Sequence, residues 1–187
     1  MVQTNQRQDF SVIDLFAGVG GLSLGATRAG FDLRLAVEKD PKAFEAHSRN
    51  FPSSKHSRLD ISGLDGAKLL AEANLEKGEL CGLIGGPPCQ GFSTIGRRSI
   101  GDSRNNLFKR FFTLVRETKP EFFLAENVPG IMNDDFKDLR DDAMDGLSDY
   151  VVLKPFFVTA SDYGAATIRK RVLFFGYRSK NFSPITA

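Results

Sequence analysis

The sequence predicts an α/β fold built around a mostly parallel sheet. Short apolar runs alternate along the chain with segments of helical spacing, which is the order expected of parallel strands joined by helical crossovers. Residues of unusual chemistry, among them glycines, acids and a cysteine, directly follow several of these runs. Because ligands of such sheets bind at the carboxyl ends of the strands, this second pattern supports the same architecture.

In the first half of the chain, four apolar segments alternate with three helical ones. Gly30 is expected to end the first helix, and Pro41 suits the first turn of the second. The strands are predicted at residues 10–16, 31–37, 57–59 and 81–84, and the helices at 22–29, from 40 onward and at 67–75.

The second half continues the alternation and then closes the sheet. A helix at 107–118, a strand at 121–125 and an acidic helix at 136–147 are predicted in that order. The segments 150–158 and 172–177 indicate two closing strands, expected to form an antiparallel pair. The predicted organisation is a polar tail at 1–9, one domain at 10–180 and a linker at 181–187.

Composition restricts the classes of function. The 187 residues suit one domain, and the net charge of +2 means that any nucleic-acid site must be a local patch. Two cysteines form neither a disulfide framework nor a zinc motif. Reduced thiols, a polar N-terminus and no apolar stretch of membrane-spanning length predict a cytoplasmic protein without a metal centre.

The turn after the first strand is glycine-rich and is followed by an acid at a characteristic distance. Gly18, Gly20 and Gly21 permit a tight turn, and Glu38 lies 20 residues after Gly18, at the end of the second strand. An acid at this place can accept both hydroxyls of a ribose, so the pair predicts a nucleoside-containing cofactor. Ser23 stands where a pyrophosphate-binding fingerprint requires Gly or Ala. Asp60 either accepts a hydrogen bond from an adenine amino group or caps a helix before Ile61.

The loop after the fourth strand carries the candidate nucleophile. The sequence GGPPCQGFS places Cys89 after two glycines and two prolines, which stiffen the backbone at the ligand edge of the sheet. A nucleophile needs a fixed position and exposure, and this loop supplies both. By contrast, Cys81 begins an apolar strand and is expected to be an unreactive core residue.

Three motifs resemble those of the DNA cytosine-5 methyltransferase family, over residues 11–178. They are DLFAGVGGLSLG at 14–25, GGPPCQGFS at 85–93 and the triplet Glu126-Asn127-Val128. The resemblance implies a Rossmann-like methyltransferase sheet with helices on both faces and an antiparallel closing strand. It also implies S-adenosylmethionine as the cofactor, held by Phe16, Ala17, Gly18, Gly20, Gly21, Glu38, Lys39, Asp60, Ile61 and Pro88.

The chemistry of cytosine methylation gives two of these residues roles. C5 becomes nucleophilic when the thiolate of Cys89 adds to C6, and Glu126 is the candidate acid beside N3. The base that later removes the C5 proton is not identified by the sequence. The resemblance further implies that Arg169 contacts the cytosine carbonyl oxygen and that Arg171 braces the site. Thr167 stands where the family usually has Gln.

Double-stranded DNA is the expected partner, with the target base flipped out of the helix. The segment 96–110 contains five basic residues and one acid, a net charge of +4. It is either a lid that closes on phosphates or an ordinary solvated loop. The candidate DNA contacts are Gln90, Ser93, Arg97, Arg98 and Arg104.

The family resemblance implies a target-recognition region and a final helical segment that this chain lacks. We therefore expect the N-terminal catalytic region of a bacterial, restriction-modification type enzyme, nucleoid-associated when on DNA. The chain is either a truncated product, one subunit of a split enzyme that needs a complementary chain, or an inactive cofactor-binding module. The same core would also suit a related tRNA cytosine methyltransferase, and the same architecture would suit a nicotinamide-dependent dehydrogenase.

Overall fold

The computed structural model describes residues 10–88 and 105–178, which form eight strands and five α-helices. The strands are β1 (Ser11–Leu15), β2 (Asp32–Val37), β3 (Lys55–Ser57), β4 (Gly82–Gly85), β5 (Phe122–Asn127), β6 (Val151–Val152), β7 (Phe156–Thr159) and β8 (Lys170–Tyr177). The helices are α1 (Gly21–Arg28), α2 (Pro41–Asn50), α3 (Gly66–Glu72), α4 (Asn105–Thr118) and α5 (Lys137–Met144).

The strands form one sheet in the order β3-β2-β1-β4-β5-β8-β6, and β7 also pairs with β8. The five strands from β3 to β5 are mutually parallel. In contrast, β8 runs antiparallel to β5, β6 and β7. The predicted α/β class, with a mostly parallel sheet and an antiparallel closing strand, is therefore confirmed.

The centre of the sheet is covered on both faces, because every residue of β1 and β4 is buried. On one face, α4 places Phe108 and Phe112 against Phe123 of β5 and Phe174 of β8, with ring centroids 5.1 to 5.6 Å apart for the closest pairs. These edge-to-face contacts give four of the 17 phenylalanines a role in the core. Among the residues that the structure describes, no helix is long and apolar enough to cross a membrane.

Several predicted boundaries were wrong, among them the end of the third helix, which lies at Glu72 and not at residue 75. The third strand ends at Ser57, so it lies two residues earlier than expected. The strand predicted at 150–158 is divided into β6 and β7, since Pro155 between them has no amide hydrogen for a strand ladder. The acidic helix ends at Met144, and Gly146 then adopts φ +74°, a left-handed conformation that favours glycine.

Candidate active site

The predicted site residues of the described chain converge at one edge of the sheet. The parallel strands β1, β2, β4 and β5 all end there, and the following loops begin with Phe16, Glu38, Gly86 and Val128. Because β8 is antiparallel to β5, it begins at this edge and brings Arg171 to the same place. The topology therefore assembles residues that are up to 155 positions apart in sequence (171 minus 16).

The glycine-rich turn after β1 has three residues with positive φ. Gly18 has φ +56° and Gly20 has φ +104°, while Phe16 has φ +59°, which is rare for a bulky side chain. The amide of Gly20 donates to the carbonyl of Ala17 at 3.0 Å, and α1 begins at Gly21. A strained residue retained at a ligand edge is a common feature of binding sites.

The carboxylate of Glu38 is held by two backbone amides, one for each of its oxygens. One carboxylate oxygen accepts from the amide of Gly18 at 2.8 Å, and the other accepts from the amide of Asp40 at 2.8 Å. The turn and the acid predicted from the 20-residue spacing are therefore in direct contact. Each oxygen keeps a second lone pair for a ligand.

A cavity of about 300 Å³ lies next to the turn. Within it, Asp60 accepts from the ammonium of Lys39 at 2.6 Å, and this contact, followed by those from Ser62, holds the pKa of Asp60 well below its usual range. Asp60 also accepts from the amide of Ser62 at 3.0 Å and so caps a 3₁₀ turn. The cap predicted for Asp60 is confirmed, and its contact with an adenine stays a prediction. The lining residues are Phe16, Val37, Glu38, Lys39, Leu59, Asp60, Ile61, Gly86, Pro88 and Leu107.

Four lining residues were not anticipated from the sequence, namely Val37, Leu59, Gly86 and Leu107. The three apolar residues carry no signal that separates a cavity wall from ordinary core. Conversely, Ala17, Gly18, Gly20 and Gly21 were predicted but do not line the cavity; they form the turn beside it.

Glu126 is held between β4 and β8. A Cβ atom placed on Gly86 would lie 3.3 Å from one of its carboxylate oxygens. Its other oxygen is 2.5 Å from Nε of Arg171, and both side chains are largely buried, at 26% and 17% exposure. The carboxylate therefore lies directly beside the start of the Pro87-Pro88 segment.

Asn127 connects β5 to the same segment. Its buried side-chain amide donates to the carbonyl of Pro87 at 3.4 Å and accepts from the amide of Val128 at 2.9 Å. This contact braces the Pro87-Pro88 segment against β5.

Several predicted site residues lie outside the described part of the chain: Cys89, Gln90, Ser93, Arg97, Arg98 and Arg104. Of the basic segment at 96–110, Lys109 and Arg110 lie on α4, where Lys109 pairs with Asp142 and Arg110 contacts Glu117 and the carbonyl of Leu64. These two cations therefore serve contacts within the protein, and the count of +4 overstates the charge available to DNA.

Arg169 and Cys81 lie in surroundings that differ from those of the ion pair between Glu126 and Arg171. Arg169 is exposed, and its backbone carbonyl accepts from the amide of Ala160 at 2.9 Å. Cys81 lies half-buried at the opposite end of β4, and burial raises the pKa of its thiol to about 11. A thiol with this pKa is almost wholly protonated at neutral pH, in agreement with the expected unreactive role.

A buried polar chain lies beneath the glycine-rich turn. Ser23 Oγ donates to Asp14 Oδ2 at 2.5 Å and is 3.0 Å from His47 Nε2, while His47 Nδ1 is 2.9 Å from His56 Nε2. Asp14, Ser23 and His47 are fully buried. Burial raises the pKa of Asp14 to about 7, with the charge of Glu38 adding to the shift, and lowers the pKa of His47 to about 4. No pattern in the sequence predicted this buried chain.

The fold is that of an α/β protein of the Rossmann-like methyltransferase type, with a cavity at the carboxyl ends of its parallel strands. The family model described as C-5 cytosine-specific DNA methylase matches residues 10–186. The chain belongs to this family, whose members take their methyl group from S-adenosylmethionine.

Individual relatives agree. The chain is 40% identical to the type II methyltransferase M.XorII of Xanthomonas oryzae over 174 residues, covering 89% of this chain and 40% of that protein. It is 33% identical to M.AquIA of Picosynechococcus, covering 89% of this chain and 71% of that protein. A crystal structure of a protein described as a DNA modification methyltransferase, encoded within a prophage of E. coli, matches with a TM-score of 0.83 and 47% identity, over 94% of this chain and 49% of that one. The chain thus spans less than half the length of M.XorII and of the prophage protein.

Proposed function

We propose that this chain transfers a methyl group from S-adenosylmethionine to C5 of a cytosine flipped out of double-stranded DNA. The observation that carries the proposal is the position of Glu126, whose carboxylate lies beside Gly86, three residues before Cys89, and is held there by Arg171. A largely buried carboxylate fixed beside the residues that lead to the candidate nucleophile suits addition to a pyrimidine ring.

The cavity suits S-adenosylmethionine better than a dinucleotide. Its volume of about 300 Å³ is within the range of small-molecule sites. Among the described residues that line it, the one cation, Lys39, is already paired with Asp60, so no lining cation remains for a pyrophosphate. Because Lys39 and Asp60 neutralise each other, Glu38 leaves the lining with one net negative charge, which favours a ligand that carries a positive charge.

Each part of the cavity has a proposed contact. Glu38 accepts from the ribose hydroxyls, Asp60 and Ile61 face the adenine, and the turn from Phe16 to Gly21 approaches the methionine portion. Lys39 and Pro88 complete the walls. When bound, S-adenosylmethionine supplies an electrophilic methyl group.

The protein's own residues then carry the chemistry of the base. The thiolate of Cys89 forms a bond to C6, the C5–C6 double bond opens, and electron density moves toward N3, where Glu126 shares a proton. Arg171 keeps the carboxylate in place, and Arg169 contacts the cytosine carbonyl oxygen. After methylation at C5, a base takes the C5 proton, the double bond reforms and the bond to Cys89 breaks.

The test is covalent capture of a duplex that contains 5-fluorocytosine, in the presence of S-adenosylmethionine. Fluorine at C5 cannot leave as a proton, so the adduct to the nucleophile persists. We expect Cys89→Ala to abolish the adduct. Cys81→Ala is the matched control, since it removes the other thiol of the chain, and it should retain the adduct. An adduct that survives in Cys89→Ala and is lost in Cys81→Ala would refute the assignment of the nucleophile.

Recognition of a DNA sequence is proposed to need more than these 187 residues. The chain covers 40% of M.XorII and 49% of the prophage protein. Gln90, Ser93, Arg97, Arg98 and Arg104 are proposed to contact the DNA backbone and the target base, while a target-recognition region, in the same chain or in a complementary one, reads the neighbouring bases.

A further inference from the structure

The glycine-rich turn rests on the last turn of α2, a contact that the proposed chemistry does not use. Any Cβ atom on Gly20 would overlap the ring of Phe51, the C-cap residue that directly follows α2. The φ of +104° at Gly20 is a second reason for glycine there. Two features therefore require glycine at position 20: the left-handed backbone conformation and the close packing of the Phe51 ring.

His47 supports that ring and connects it to α1. Its imidazole lies against Phe51, with ring centroids 4.6 Å apart and an interplanar angle of 33°. Its Nε2 is 3.0 Å from Ser23 Oγ, in the first turn of α1, and Ser23 is bonded in turn to Asp14 of β1. The buried side chain of His47 thus links Phe51, which packs against the turn, to α1, which follows the turn.

Asn50 holds the turn from its outer side. Its side-chain amide donates to the carbonyl of Val19 at 2.9 Å, across 31 positions of sequence. Asn50 is exposed, and its neighbour Arg49 pairs only along the helix, with Glu45 at 2.5 Å. The last turn of α2 therefore contacts Val19, Gly20 and Ser23, which are the second half of the turn and the start of α1.

We propose that His47, Asn50 and Phe51 are positioning residues for the cofactor turn, so that they set the affinity for the cofactor without touching it. This inference rests on the proposed function of the turn. The hydrogen bond from Asn50 fixes the carbonyl of Val19, and with it the plane of the peptide that leads into Gly20. Loss of this bond leaves the turn free to leave its binding conformation, and the ordered fraction limits the apparent affinity.

The test is calorimetric titration of the 187-residue chain with S-adenosylhomocysteine. Asn50→Asp keeps the shape of the side chain but removes its amide donor, and we expect binding about fivefold weaker. Asn50→Gln retains a donor and should recover most of the affinity. Arg49→Ala is the matched control on the same helical turn and should bind as the wild type does. Melting temperatures of the four proteins should lie within about 4 °C of one another, because both positions are exposed.

Imidazole NMR signals give a second readout, since His47 and His56 are the two histidines of the chain. Saturation with S-adenosylhomocysteine should shift the His47 signals in the wild type and shift them less in Asn50→Asp. Wild-type affinity in Asn50→Asp, together with unmoved imidazole signals, overturns the inference. Failure of the wild type to bind S-adenosylhomocysteine at all is a different outcome, which overturns the proposed function and the inference with it.

Discussion

The buried pair of Asp14 and His47 should make two single substitutions respond to pH in opposite directions. Burial raises the pKa of Asp14 from 3.8 to about 7 and lowers the pKa of His47 from 6.5 to about 4. Each pKa unit corresponds to about 1.4 kcal/mol, so each of the two shifts represents a few kcal/mol of unfolding free energy. Neither side chain is accessible to solvent.

The signs of the two contributions are opposite. Folding raises the pKa of Asp14, so its contribution to stability is largest at low pH and is lost as the pH rises from about 4 to 7. Folding lowers the pKa of His47, so its contribution is complete above pH 6.5 and is lost as the pH falls toward 4. Between those values the unfolded chain carries one proton on the imidazole, and the folded chain carries one on the carboxyl group. The two slopes therefore cancel in the wild type.

Each substitution removes the pH dependence of stability that one of the two residues contributes and leaves that of the other. Relative to the wild type, the unfolding free energy of Asp14→Asn should rise with pH between about 4 and 6.5, by up to roughly 1.4 kcal/mol per pH unit. That of His47→Gln should fall with pH over the same interval by a similar amount. The measurement is urea unfolding followed by circular dichroism at several pH values, with the wild type in the same buffers.

Subtracting the wild-type profile removes the contributions of the other carboxyl groups. His56→Gln is the control, since His56 is half-buried and ends the chain of hydrogen bonds. Parallel profiles for wild type, Asp14→Asn and His47→Gln would refute the assignment of the proton to Asp14 in the folded state.

Two further substitutions test the cofactor site and the sheet. Glu38→Gln removes the negative charge of the carboxylate that accepts hydrogen bonds from the amides of Gly18 and Asp40. It should weaken binding of S-adenosylmethionine about tenfold or more in calorimetry. Unchanged affinity would contradict the assignment of Glu38 to the ribose. Gly176→Ala places a methyl group into the ring of Phe123 on the neighbouring strand. The unfolding free energy measured by urea titration should fall by about 1–3 kcal/mol. An unchanged midpoint of unfolding would mean that the ring moves aside freely.

The sequence predicted those features that depend on local pattern and on strand ends. The contact between Gly18 and Glu38 followed from their spacing, because two adjacent parallel strands end at the same edge. The third strand was misplaced, since its three residues, Lys55 to Ser57, carry little apolar pattern. Asp60 was nevertheless found, as its role depends on the loop after that strand rather than on the strand's exact limits.

The buried chain under the turn shows why other features could not be predicted. Its four members come from β1, α1, α2 and β3, and no sequence spacing relates them. Ser23 attracted notice only as a departure from a phosphate-binding fingerprint. The structure gives it a positive reason, since a glycine or alanine there would leave Asp14 and His47 without their shared hydroxyl. Contacts that arise from packing several elements together need the fold to be known first.

The register of the closing strand explains how Arg171 reaches Glu126. Glu126 pairs with Leu173 across the antiparallel β5–β8 ladder, and Arg171 lies two residues before Leu173. Side chains two residues apart on a strand share a face, so Arg171 is the diagonal neighbour of Glu126 on the same side of the sheet. A parallel last strand would begin at the opposite edge, and a slip of one residue would turn Arg171 to the other face. The pair therefore depends on both the direction and the register of β8. An insertion or deletion near Arg171 would separate it from Glu126, although the two residues are 45 positions apart in sequence (171 minus 126).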